Sequence, residues 1–163
     1  MTKARIFLFV GFFLCAGIES QGQSMALAQS AQPGIDSLIE LRSRAQTAAQ
    51  AKHYEQATAL YRQYLSLKPN DDEVRTALAL VLAYSKQFAE ATIVYKDILT
   101  RHPHDLDVQL ALARVHAWQK QYAEARAIFE YVLRENPHYT EAKHSLADTL
   151  FWSGEDAAAL PLY

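Results

Sequence analysis

The stretch AYSKQFAEA at residues 83–91 returns as AWQKQYAEA at residues 117–125, with ring exchanged for ring at two of its three changed places. Other positions keep the step that separates Ala83 from Ala117. Ala57, Ala91, Ala125 and Ala159 recur at it, as do Tyr61, Tyr95, Phe129 and Tyr163, then Tyr54, Phe88 and Tyr122, and finally Pro69, Pro103 and Pro137. A fixed period of this length means one supersecondary unit repeated along the chain, each copy burying its apolar face only against its neighbours.

Each unit reads as a pair of helices. Leu78, Ala79 and Leu82, then Ala91, Tyr95, Ile98 and Leu99, fall at helical rather than alternating spacing. Pro103 and Pro137 end the second helix of their units, because proline lacks an amide donor and disfavours helix in the residue before it. The segments PND, PHD and PHYT offer capping groups for the next helix, and the polar stretches SKQ and QKQ turn the chain inside a unit. About half of the 163 residues are apolar, enough for a continuous core, and the formal charge of -2 gives no field that favours nucleic acid or an anionic membrane surface.

Residues 1–28 have the layout of a secretory signal peptide. Lys3 and Arg5 precede the apolar run from Ile6 to Ile18, and Ala26-Leu27-Ala28 supplies small residues around a cleavage point after Ala28, with Ala26 a second candidate. The run is short of the roughly 20 residues that span a bilayer, and an uncleaved anchor is the alternative. Cys15, the single cysteine, follows Leu14 rather than a small residue, which argues against a lipid anchor. Removal of residues 1–28 takes away Lys3, Arg5 and Glu19, moves the charge from -2 to -3 and leaves no thiol, compatible with an oxidising compartment. Residues 29–36 read as a linker, with the first helix capped near Asp36 or Ser37.

The spacing of small and aromatic residues resembles the tetratricopeptide repeat, in which small residues at the eighth and twentieth places let two antiparallel helices approach and a ring at the twenty-fourth fills their seam. The units are then 38–71, 72–105, 106–139 and an incomplete 140–163. The second matches through Leu78, Ala79, Phe88, Ala91, Tyr95 and Pro103, and the third through Leu112, Ala113, Tyr122, Ala125, Phe129 and Pro137. The first matches through Leu41, Ala45, Tyr54, Ala57, Tyr61 and Pro69, with Arg44 where an apolar residue is usual. In the fourth, Leu146, Ala147, Leu150, Trp152, Gly154, Ala159 and Tyr163 fit, while Pro161 sits inside the second helix. The expected fold is an all-α, right-handed α-solenoid of three full units and a truncated fourth, with residues 155–163 frayed or continued in a longer protein.

The resemblance also implies a site. In the family the second, fifth, ninth, twelfth and thirteenth places of the first helices line a concave groove. Carried over, the fifth, ninth and thirteenth places put Arg42, Gln46, Gln50, Thr76, Leu80, Tyr84, Leu110, Arg114, Trp118, His144, Asp148 and Trp152 there. The rings Tyr84, Trp118 and Trp152 offer hot spots or sugar-stacking faces if they face the groove, and otherwise pack between units. The Lys and Asn clamp by which cytosolic co-chaperone members hold a terminal carboxylate is missing. Arg42 and Arg114 remain, as single carboxylate partners or as members of solvated salt bridges.

His102, His104 and His138 fall in loops between units and His116 inside a helix, a distribution that implies no metal site. Gly-rich phosphate loops, GxSxG, HExxH and a nucleophilic cysteine outside the leader are all absent, so neither enzyme activity nor a cofactor is expected. The implied function is a non-catalytic protein–protein interaction scaffold of the cell envelope, periplasmic or outer-membrane associated, holding a protein or peptide partner. The style of units two to four is similar to the periplasmic repeats of outer-membrane polysaccharide-secretion proteins. A homo-oligomer formed through the incomplete last unit is a further alternative.

Overall fold

The computed structural model describes residues 35–162, so the expected signal peptide, the linker up to Gly34 and Tyr163 lie outside the described residues. Within them, eight helices follow in order: α1 (Ile35–Gln50), α2 (Tyr54–Leu67), α3 (Asp72–Tyr84), α4 (Phe88–Arg101), α5 (Leu106–Trp118), α6 (Tyr122–Glu135), α7 (Thr140–Ser153) and the single turn α8 (Asp156–Ala159), closed by a 3-10 turn at Leu160–Leu162. Among the described residues there is no strand. Each helix packs on the next, and α5 also touches α3 and α7, so the first helices of successive units lie side by side. This is an all-α solenoid.

The alanines explain why the helices nest. Ala45, Ala57, Ala79, Ala91, Ala113, Ala125 and Ala147 are all fully buried, and Ala159 is 2% exposed. A methyl group at these crossings lets the two axes approach closely enough for Tyr61, Tyr95 and Phe129 to fill the seam beside them. Ala91 and Ala125 stand in matching settings: each lies one turn into its helix, its amide donating to the carbonyl of Gln87 or Gln121. The core forms two clusters, bridged by Ile128, which packs against both.

The nonapeptide recurs because it builds one turn. In the first three units a lysine, Lys52, Lys86 or Lys120, takes a left-handed backbone with φ of 61°, 64° and 62°, and Gly154 holds that place in the fourth at 86°. The amide of Lys86 donates to Ala83 O (3.0 Å) and that of Gln87 to Leu82 O (2.8 Å). Lys120 and Gln121 repeat the pattern on Ala117 and His116 at 2.9 Å each, the paired bonds of a Schellman helix end. A side chain in this conformation is strained by about 1 kcal/mol relative to glycine. Lys86→Gly is therefore expected to raise stability by about 0.5–1 kcal/mol. Gly154→Ala should lower it by about 1 kcal/mol from backbone strain alone, since a Cβ there would meet no atom within 4 Å. Urea unfolding of the two variants checks both signs.

Capping follows the sequence at two of three junctions. Asp71 accepts from the Val74 amide at 3.2 Å, and Asp105 from the amides of Asp107 and Val108 at 3.1 and 3.0 Å. At PHYT the cap position falls on Tyr139, whose side chain makes no capping bond; Thr140 is already the first helical residue. The first helix starts at Ile35, placing Asp36 and Ser37 inside its first turn instead of at its cap. The segment expected to fray instead forms the turn Asp156–Ala159, anchored by the buried Ala159, and Pro161 falls where the α-helix gives way to the 3-10 turn.

Asp71 also accepts from the Tyr64 hydroxyl at 2.8 Å and pairs with Lys68 at 3.1 Å. Burial pushes its carboxyl upward, but the bonds from Tyr64, Val74 and Lys68 outweigh it and leave the pKa below the usual range. A lowered folded value stabilises above the unfolded pKa near 4 and is lost as pH falls through the folded value. Asp71→Ala should cost about 2 kcal/mol near neutrality, from the lost cap and the stranded hydroxyl of buried Tyr64. Its deficit against wild type should shrink below about pH 4, which denaturation across pH 2–7 would show.

Candidate functional site

Exposed apolar side chains are not scattered over this solenoid. Ile39, Leu80, Tyr84, Trp118, Phe151 and Trp152 all stand on the first helices α1, α3, α5 and α7, whereas Leu67, Ile93 and Leu160 are the large exposed apolar residues elsewhere among the described ones. Six of these nine large exposed apolar residues thus stand on one row of helices, where a contiguous exposed apolar patch would be a candidate interaction surface.

The rings both pack and show. Tyr84 and Trp118 lie 5.8 Å apart across the α3/α5 boundary, backed by Tyr54 against Tyr84 at 6.1 Å and Phe88 against Trp118 at 6.4 Å. Yet Tyr84 remains 52% exposed, Trp118 36% and Trp152 48%. Tyr84 and Trp118 thus pack between adjacent units, the alternative read from the sequence, while staying partly exposed: in each case a second-helix ring at the seventeenth place lies against the thirteenth-place ring of the next unit. The recurrence of Tyr54 and Phe88 was visible in the sequence, but their role as supports was not.

Arg114 and Trp118 form a wall between two clefts. One, about 190 Å³, lies between α3 and α5 and is lined by Leu80, Tyr84 and Tyr95 as well as the wall. The other, about 160 Å³, lies between α5 and α7, with Ser145, Asp148 and Trp152 opposite the wall and Phe129 also lining it. Each is the size of one large side chain or one sugar ring. Burial drives the Tyr95 hydroxyl well above the ordinary phenol range, keeping it protonated in the first cleft.

The other carried-over residues divide by exposure. Gln46, Gln50 and His144 are exposed, and Thr76 is half-buried with its hydroxyl donating to Asp72 O at 2.9 Å. Arg42 pairs with Glu73 of the next first helix; Arg114 pairs with Glu141 at 2.9 Å and donates to Ser145 Oγ at 3.1 Å. Both arginines thus sit in salt bridges that link successive units. Leu110 departs from the set. It is 3% exposed and packs in the core with Ala113, Ala142 and Leu146, because α7 closes over a fifth-place side chain that is apolar here and polar in the other units.

The histidines do not converge. His102 contacts Asp72 at 3.0 Å, His104 the Tyr131 hydroxyl at 3.3 Å and His116 the Gln121 side chain at 2.6 Å, each a separate local contact. Among the described residues no group of three or more His, Cys, Asp or Glu is placed to hold a metal ion.

No curated protein matches the sequence significantly. Among solved structures, a tetratricopeptide repeat protein from Parabacteroides merdae superposes with a TM-score of 0.73 at 22% identity, over 86% of this chain and 56% of that one. This chain therefore spans little more than half of that relative's length. PilW, a type IV pilus biogenesis factor, gives 0.69 at 22% identity over 87% of this chain and 68% of its own. MamA from Desulfovibrio magneticus gives 0.67 at 15% identity over 87% and 88%. At these identities the likeness is one of fold. The tetratricopeptide repeat model matches residues 48–114, 82–130 and 119–163, and with alanines, seam rings and helix pairs all in that register, the chain belongs to the tetratricopeptide repeat family.

Proposed function

We propose that the protein is a non-catalytic protein–protein interaction scaffold that holds its partner in a groove formed by α1, α3, α5 and α7. The observation that carries this reading is the gathering of exposed apolar side chains on those four helices, with two side-chain-sized clefts between them. Tyr84 and Trp118, already held by neighbouring rings, lose little rotamer freedom on binding, so that part of the surface is preorganised and a partner bound there pays mainly its own ordering cost. Large, fixed aromatic groups beside small clefts are what binding hot spots are made of.

We further place this scaffold in the cell envelope. The charged, apolar and small-residue succession of residues 1–28 supports export, and a fold shared with a protein described as a type IV pilus biogenesis factor is consistent with that setting. Fractionation of cells expressing the full chain with a carboxyl-terminal tag tests it. Release of the mature protein with the periplasmic or outer-membrane fraction is expected; retention in the cytoplasm with the leader, residues 1–28, intact would reject it.

For the groove, Trp118→Ala and Trp152→Ala are the informative substitutions. Each removes a half-exposed ring, so folding stability should fall by less than about 1.5 kcal/mol, while affinity for a captured partner should drop roughly 30- to 100-fold, as for loss of one hot-spot ring. Titration of the partner by calorimetry reads the affinity and thermal melting reads the fold. Undiminished affinity in both variants would reject the groove as the binding surface.

A further inference from the structure

The cleft between α3 and α5 is lined by a polar group that the protein itself leaves without a partner. Tyr95 is 1% exposed and lines that cleft, yet among the described residues its hydroxyl makes no hydrogen bond. Its electrostatic neighbours are Tyr84 and Arg114, both in the cleft wall. Packing does not require the hydroxyl, because the third unit fills the same seam with Phe129, which is fully buried too. An unpaired hydroxyl among buried groups costs stability that a phenylalanine avoids, so its presence calls for a ligand. The other polar side chains lining the cleft, Tyr84, Arg114 and Trp118, all carry donors, and no carboxylate, carboxamide or aliphatic hydroxyl lines it. Arg114 is engaged elsewhere: its Nε donates to Ser145 Oγ at 3.1 Å, and its charge pairs with Glu141 at 2.9 Å.

Resting on the groove reading above, we infer that this cleft takes a glutamine side chain of the partner, its methylene stem against Leu80, Ala111 and Val115 and its carbonyl oxygen accepting from the Tyr95 hydroxyl. Burial keeps the Tyr95 hydroxyl protonated, so it is a standing donor. The carboxamide nitrogen stays at the mouth of the cleft, where water accepts from it. A leucine in the same place strips water from the hydroxyl and offers nothing in return, which is how a site built around a polar group rejects an apolar occupant. A glutamate carries its charge into a cleft whose one guanidinium is already paired, and a desolvated carboxylate without its own counter-ion is costly. A hexose brings several hydroxyls, most of which the aliphatic walls leave unpaired.

The test uses the full chain labelled with 5-fluorotryptophan, in which Trp118 and Trp152, its two tryptophans, give one fluorine resonance each. Trp118 lines both clefts and Trp152 the second, so a ligand in the first cleft moves the Trp118 signal and leaves that of Trp152 in place. The probes are peptides Ser-Leu-X-Leu-Ser, with X glutamine, leucine, tyrosine or glutamate, and the neutral sugar maltopentaose. The glutamine peptide should move the Trp118 resonance saturably and bind about tenfold tighter than the leucine peptide, the difference that one neutral hydrogen bond makes. The glutamate peptide should bind at least about tenfold more weakly than the glutamine peptide. Tyr95→Phe should cut the preference for glutamine over leucine to less than about twofold, leave leucine binding unchanged and lower the melting temperature by no more than about 2 °C. A glutamine preference that survives Tyr95→Phe, equal binding of the glutamine and leucine peptides, or tighter binding of the tyrosine or glutamate peptide overturns the inference and leaves the groove reading standing. Tighter binding of maltopentaose overturns it together with the protein-partner reading. No movement of the Trp118 signal with any probe overturns the inference too, and partner affinity in Trp118→Ala and Trp152→Ala then decides the groove reading separately.

Discussion

Replacing Phe129 by alanine is expected to destabilise the protein by about 4 kcal/mol, the largest effect of any single truncation proposed for this chain. The ring is fully buried, fills the seam between α5 and α6, and also lines the cleft between Trp118 and Trp152. Its removal costs the transfer free energy of the ring and leaves a cavity that close-packed helices collapse only partly. Thermal melting should fall by more than about 10 °C in a domain of this size. Because solenoid units are held mainly by their neighbours, the loss should fall first on α5 to α8, with amide exchange in α2 and α3 changed less. The comparison is Ile93→Ala on α4, where the side chain is 68% exposed. Its expected cost is about 0.5 kcal/mol at most, as for surface substitutions in general.

The second large effect is the converse, a side chain too big for its place. Ala125→Leu should cost about 3 kcal/mol, because the methyl group sits at a helix crossing and three added carbons must push the helices apart or bend from their rotamer. Ala91→Leu should cost the same within about 1 kcal/mol, since the two alanines are equally buried and one turn from equivalent helix starts. Chemical denaturation of both variants is the check. A cost at one position and tolerance at the other would show that the repeat in sequence does not reproduce the same packing, and the account of the fold would fail.

Much of this fold could be read before any coordinates because its determinants are local and periodic. Ala79, Ala91, Tyr95 and Phe129 occupy places where only one size of side chain fits, so the period of the sequence is the period of the packing. Helix pairs and junction prolines follow from the same register. The site was less legible, for reasons that differ by residue. Leu110 was carried to the surface by its place in the unit, but burial depends on whether the helix of the next unit covers it, a tertiary fact. The arginine bridges were legible as a class, though not their glutamate partners in the following unit. Tyr54 and Phe88 were visible as recurring rings; that they prop Tyr84 and Trp118 emerges only when α2 meets α3 and α4 meets α5. The left-handed lysines were hidden more deeply. Lysine is a poor marker of that conformation, and its presence in three units shows that the turn is set by the paired amide bonds and the nesting of the helices it joins, which outweigh the strain.

The central functional claim is that a partner lies along the first helices, and photo-crosslinking tests it where it is made. A photoreactive phenylalanine analogue placed at Tyr84 or Trp152 reports on the groove, and one at Ile93 reports on an exposed second helix. The account predicts partner adducts from positions 84 and 152 and none from 93. Adducts from position 93 with none from 84 or 152 would contradict it.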